Sequence, residues 1–189
     1  MHSRSAGGLI SFQIRLICDK SVAETTDQLR RRTFAHAVKL LAAKPRSVAE
    51  LRERLLQGKG ADEAVVETVI SRLREYGYLD DERFALSYAS FKVKQRPVGR
   101  RRLERDLKLK KVGTDVANEA LDSVYAETSE EQLIDQAITK RLRIRGRPKN
   151  RAEAKSLFDH LLRQGFGFEL VSSKVRSLAT DYVDDTDVR

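Results

Sequence analysis

The side chains best placed to do chemistry in this sequence are cationic. Between Lys92 and Lys111 stand ten basic residues (Lys92, Lys94, Arg96, Arg100, Arg101, Arg102, Arg105, Lys108, Lys110 and Lys111) against two acids, Glu104 and Asp106. Arg101, Arg105 and Lys108 are spaced i, i+4, i+7 and so share one helix face, with Leu103 and Leu107 behind them and Arg102 to the side. A guanidinium fork bonds phosphate and carboxylate oxygens equally well. Arg100, Arg101, Arg102, Arg105 and Lys108 are therefore candidates for binding an anionic partner. A second basic block, Thr139 to Arg151, holds seven bases and no acid, and adds Arg141, Arg143, Arg145 and Arg147. Between the two lies Val112 to Ile138, with seven acids and no base. A solvated helix surface is the plainer reading of any one such block. Three single-sign blocks in series are harder to explain that way, because like charges repel unless something opposite binds them. No aromatic residues interleave in the basic blocks, so a base-stacking platform is not expected there.

Catalytic constellations are missing. His2, His36 and His160 are far apart, and Cys18 has no histidine near it in sequence. Asp80 and Asp81 suit helix capping better than acid–base work or metal binding. There is no phosphate-cradling glycine loop and no dinucleotide fingerprint. The expectation is a protein without catalytic residues, metal, cofactor or small-molecule substrate. One cysteine rules out an internal disulfide framework and fits a reducing cytoplasm. No run reaches the length of a membrane span. Leu9 to Cys18 is apolar but interrupted by Arg15, and reads as a short strand or an extension lying on the body, not as a signal peptide. The net charge of +9 over 189 residues favours a polyanion or an acidic protein surface as partner.

What must position these cations is a repeat. Pro45, Pro97 and Pro148 are evenly spaced, and each stands two residues before a helix start, at Ser47, Gly99 and Asn150. Gly60, Gly113 and Gly165 keep the same step, as do the pairs Leu51 with Leu55, Leu103 with Leu107, and Ala154 with Phe158. Each unit reads as three helices. Ser47 with Glu50 and Ser129 with Gln132 are capping-box patterns, and Asp62 and Thr114 are further caps. Apolar stripes run Phe34, Val38, Leu41, Ala42, then Val66, Val69, Ile70, Leu73, then Ala117, Ala120, Leu121, Val124, and so to Val171, Val175, Leu178, Tyr182. Each stripe is narrow, so neighbouring units should share their ends. The expected fold is all-α: three tandem three-helix bundles in an elongated row free to curve, after an irregular N-terminal extension. Residues 1–32 form the extension, 33–79, 80–127 and 128–182 the repeats, and 183–189 an acidic tail.

The junction of the first two units is Gly77 to Ala89, GYLDDERFALSYA. Gly77 suits a helix end, Tyr78 and Leu79 should tuck under the join, and Asp80, Asp81 and Glu82 suit the start of the next helix. Phe84, Ala85, Tyr88 and Ala89 should face inward. This stretch resembles the fingerprint of the RecX family, bacterial regulators of the RecA recombinase. The likeness extends through SVAELRERLLQGKG, VISRLREYGYLDDERFA, VGRRRLERDLKLKKV and LLRQGFGFELVSSKV, from about Thr33 to Ala179. The resemblance implies a non-catalytic, cytoplasmic modulator of RecA, usually an inhibitor, lying in the groove of the RecA–DNA filament and affecting recombination, ATP hydrolysis and the SOS response. Single- and double-stranded DNA are further candidate partners, and a monomer is the expected state. The rival expectations are a free-standing helical DNA-binding protein, such as a transcription or chromatin factor, and a helical adaptor for another acidic partner.

Overall fold

The computed structural model describes residues 25–180 apart from residue 59. Among these residues the chain forms nine helices and no strand: α1 (Thr26–Ala43), α2 (Val48–Leu56), α3 (Glu63–Glu75), α4 (Asp81–Gln95), α5 (Arg100–Leu109), α6 (Thr114–Glu127), α7 (Glu130–Arg145), α8 (Arg151–Gln164) and α9 (Phe168–Thr180). The expected extension, Tyr182 and the acidic tail fall wholly or largely outside the described residues. Helix α1 begins within the stretch expected as extension. Thr25 and Gln28 make a reciprocal capping box there, the same pattern that marks Ser47 and Ser129.

Helices that pack extensively do so inside three groups, α1–α3, α4–α6 and α7–α9. Caps explain why the helices start where they do. Ser47, Asp62, Asp80, Ser129 and Asn150 each accept an amide from the first turn of their helix. Thr114 is not a cap: Gly113 holds that place, without a side chain to contribute, and Thr114 is already helical. The glycine step is also broken in the middle group. Gly60 and Gly165 have positive φ, but the left-handed residue closing α5 is Lys111 at φ 57°, not Gly113.

The apolar stripes build two cores. The first joins Ala37, Val48, Leu51, Leu55, Val66, Val69, Ile70, Leu73 and Leu79. Helix α1 turns Phe34, Ala37, Leu40 and Leu41 towards it, and Val38 and Ala42 face outwards instead, so the expected stripe was rotated from the observed one. The second core runs without a break through α4–α9, from Ala85 to Val175, with Leu103, Leu107, Leu121, Ile134, Leu161 and Phe166 at its centre. The last two groups thus share one hydrophobic interior, whereas the first keeps its own.

The two joints differ accordingly. Between the first and second groups the contacts are polar. Asp81 accepts the amide of Val48 at 2.9 Å, capping a helix of the preceding group. The buried Ser47 hydroxyl accepts from Glu50 N and donates to the Lys110 carbonyl. Glu50 turns away from its capping box to pair with Lys110 at 2.8 Å, and Glu53 pairs with Lys111 at 2.6 Å. Between the second and third groups two backbones touch. Gly99 N donates to Gln164 O at 3.0 Å, and Arg101 N donates to Gly165 O at 3.2 Å. A Cβ on Gly99 would stand 2.2 Å from Phe166 N, so no larger residue fits. Nearby, Tyr125 Oη donates to Val98 O at 2.8 Å, and burial followed by the charge of Glu130 raises its phenol well above the ordinary range.

At the junction Gly77 has φ 67°, Gly77 N donates to Arg74 O and Tyr78 N donates to Leu73 O, a complete Schellman close. Leu79 then enters the core, but Tyr78 does not tuck under: it is 65% exposed. Ala85 and Ala89 are fully buried, and Phe84 and Tyr88, stacked on each other with ring centroids 6.0 Å apart, pack half-buried against the same core.

Candidate functional site

Helix α5 owes its position to Leu103 and Leu107, both fully buried. Fixing that edge fixes the opposite one, and Arg101, Arg105 and Lys108 are all exposed on it. Arg105 Nε donates to Arg101 O at 3.2 Å, which lays its side chain along the helix. Among the described residues no carboxylate pairs with any of the three.

The neighbouring cations are engaged. Arg100 donates to Glu104 at 3.1 Å and to Asp122 at 2.6 Å, and its amide donates to Glu130 at 3.1 Å. Burial opposes its charge, but the bonds and charges of Asp122 and Glu104 together hold its guanidinium above the ordinary range. Arg102 is half-buried, and its Nη1 reaches the Arg163 carbonyl at 3.4 Å. Lys110 and Lys111 neutralise Glu50 and Glu53 across the first joint. Thus part of the middle block of charge is spent inside the fold. The row Arg101, Arg105, Lys108 remains presented to a partner.

The second basic block forms the C-terminal part of α7 and the turn after it. Arg143, Arg145 and Arg147 are exposed, while Arg141 is half-buried against α8. Burial, then the charges of Arg141 and Arg163, lower the pKa of His160 from its usual 6.5. Arg141, Arg145, Pro148 and Ser156 line a shallow cavity of about 180 Å³. Helix α8 therefore lies between the two basic regions, taking Arg102 on its Arg163 carbonyl and facing Arg141 with His160. The acidic block between them is also partly consumed: Asp122 and Glu130 hold Arg100, and Asp135 pairs with Lys174 of α9 at 2.7 Å.

Residues that sequence reasoning left out are those of the joints: Ser47, Glu50 and Asp81 acting across groups, and Gly99 against Gly165. Capping patterns marked Ser47 and Asp81 as local devices, and nothing in the spacing shows that their second partners lie far along the chain. Among the described residues no three histidine, cysteine or acidic side chains gather to hold a metal, and no helix is long and apolar enough to cross a membrane.

The fold and this surface define a tandem helical-bundle protein that presents cations on a helix edge. The RecX model for a first three-helix domain matches residues 34–73, and that for a second three-helix domain matches residues 80–121. The chain is 31% identical over 163 residues to the regulatory protein RecX of Deinococcus radiodurans, covering 86% of this chain and 76% of the relative. It is 31% identical over 155 residues to the regulatory protein RecX of Bacillus licheniformis, where it spans 57% of that protein's length. The crystal structure of RecX from Lactobacillus salivarius superposes with a TM-score of 0.69 over 80% of this chain and 97% of that one, at 17% identity, which speaks for the fold. A second crystal structure of a regulatory protein RecX gives 0.67 over 91% and 79%, at 19% identity. The chain belongs to the RecX family.

Proposed function

We propose that this protein regulates the RecA recombinase without catalysing a reaction, by binding along the RecA–DNA filament and inhibiting it in the cytoplasm as a monomer. The partner follows from the family. The observation that carries the mode of binding is the exposed row Arg101, Arg105 and Lys108, left without carboxylate partners among the described residues while Arg100, Lys110 and Lys111 are neutralised. Arg143, Arg145 and Arg147 extend the cationic surface beyond α8, with Arg141 at its edge. Three units in a row suit a partner that repeats, because several weak contacts made at once multiply through effective concentration. Bound this way, the protein modulates strand exchange, ATP hydrolysis and the SOS response by occupying the filament.

The test is RecA ATP hydrolysis on single-stranded DNA at sub-stoichiometric protein. The variant Arg101→Glu, Arg105→Glu, Lys108→Glu should lose inhibition. Its three sites are exposed and leave the core untouched, so helical circular dichroism should be unchanged and stability altered by only about 0.5 kcal/mol per site. Full inhibition by the folded variant would overturn the role given to α5.

A further inference from the structure

We propose that the aromatic cluster where α1 meets the end of α3 is a separate binding site for the unpaired bases of single-stranded nucleic acid. Phe34 of α1 and Tyr76 pair edge to face with ring centroids 6.4 Å apart, and Tyr76 and Tyr78 pair likewise at 6.2 Å. The Arg72 guanidinium lies 5.9 Å from the Phe34 centroid and 5.5 Å from that of Tyr76, and its Nε donates to Tyr76 Oη at 2.9 Å. The rings are thus held in an ordered array. Tyr76 is nevertheless 52% exposed and Tyr78 65% exposed. The core does not require Tyr78, since the left-handed turn at Gly77 sends Leu79 inward and leaves the phenol outside.

The surroundings are cationic. Arg30 stands one helical turn before Phe34, Arg74 is exposed beside Tyr76, and the Arg83 guanidinium bonds the Gly77 carbonyl between the two tyrosines. Of the nearby acids, Asp27 is paired with Arg31 at 2.9 Å, Asp80 caps α4, and Glu75 lies near Arg72. Exposed tyrosines next to arginines are what unpaired bases and their phosphates recognise together: stacking takes the base and the cation takes the backbone. In a duplex the base faces are already stacked and unavailable. The alternation of aromatic and basic side chains that neither basic block possesses is here assembled by the fold from two helices. The site lies in the first group, away from the cationic row of α5, and does not rest on the filament reading.

Tyrosine emission is readable because the chain has no tryptophan, and Tyr76 and Tyr78 are two of its five tyrosines. An oligothymidylate of about 20 nucleotides should quench that emission and bind in a fluorescence anisotropy titration without RecA. Tyr78→Leu should weaken binding roughly tenfold in the anisotropy titration, while Tyr78→Phe, which removes the same fluorophore but keeps the ring, holds the parent affinity. A duplex of equal length should bind Tyr78→Leu and the parent alike. The Arg101→Glu, Arg105→Glu, Lys108→Glu variant should retain the quenching, so failure here and failure of the filament reading are told apart. Unchanged oligothymidylate binding in folded Tyr78→Leu would overturn the site. So would an equal loss on single-stranded and duplex DNA.

Discussion

Replacing Gly99 by serine sets local and tertiary rules against each other. Gly99 caps α5 at the position that Ser47 and Asn150 hold in the other two groups. By capping preference alone, serine should match glycine there or improve on it by a few tenths of a kcal/mol. The fold demands the opposite sign. A Cβ at Gly99 would meet Phe166 N and the Gly165 carbonyl, all of them backbone atoms that no rotamer can move. Restoring ordinary contact requires the start of α5 to part from the end of α8 by roughly 1 Å, which is enough to break a normal hydrogen bond. The bonds from Gly99 N to Gln164 O and from Arg101 N to Gly165 O would both go. Two lost backbone bonds at about 1 kcal/mol each, with about 1–3 kcal/mol for overpacking, give a loss near 3–5 kcal/mol. Urea denaturation followed by circular dichroism reads this as a lowered midpoint. Gly165→Ala attacks the same contact from the other side and also strains a φ of 93°, so the double variant should lose less than the sum of the singles. A Gly99→Ser midpoint equal to or above the parent would refute the idea that this backbone contact locks the last two groups together.

The first joint should respond differently, because it is polar. Lys110→Met leaves Glu50, only 18% exposed, without its partner, and should cost about 1.5–3 kcal/mol in the same denaturation experiment. High salt should weaken Lys111–Glu53, whose side chains are about half exposed, more than it weakens Lys110–Glu50. His160 has its pKa lowered by burial and by Arg141 and Arg163. The unfolded chain therefore takes up that proton first as pH falls. The stability that His160 contributes is complete above its ordinary 6.5 and is lost as pH drops from there towards the lowered value. His160→Gln should flatten that fall, measured as the difference in urea midpoint between about pH 7.5 and about pH 5.5. An identical pH slope in the variant would remove His160 from the account.

Much of the fold was legible because its determinants are local. The stripe of α6 matches its buried set residue for residue and that of α3 lacks only Val65, since a narrow face with a 3.6-residue period admits one registration. Helix α1 was misread by one position because its apolar residues crowd together from Phe34 to Ala43 and admit more than one stripe: Ala37 is the contact, and alanine carries little signal against Val38. Tyr78 was placed inside because hydropathy cannot tell which of two adjacent apolar residues a left-handed glycine turn will expose. The cationic row of α5 was legible for the same reason as its core, as the two are opposite edges of one helix.

The sequence by itself determined nine amphipathic helices, the caps at Ser47, Asp62, Asp80, Ser129 and Asn150, the grouping in threes, and an α5 whose apolar pair turns Arg101, Arg105 and Lys108 outward. Those features depend on residues within a few positions of one another, which is the range over which capping and periodicity act. Only the tertiary structure decided which cations remain available: Arg100 went to Asp122, Arg102 to the Arg163 carbonyl, and Lys110 and Lys111 to Glu50 and Glu53. It also made one joint polar and the other a shared core, and it brought Phe34 beside Tyr76 and Arg72. Each of these is a meeting of groups far apart along the chain, and no local preference specifies where a distant surface will lie.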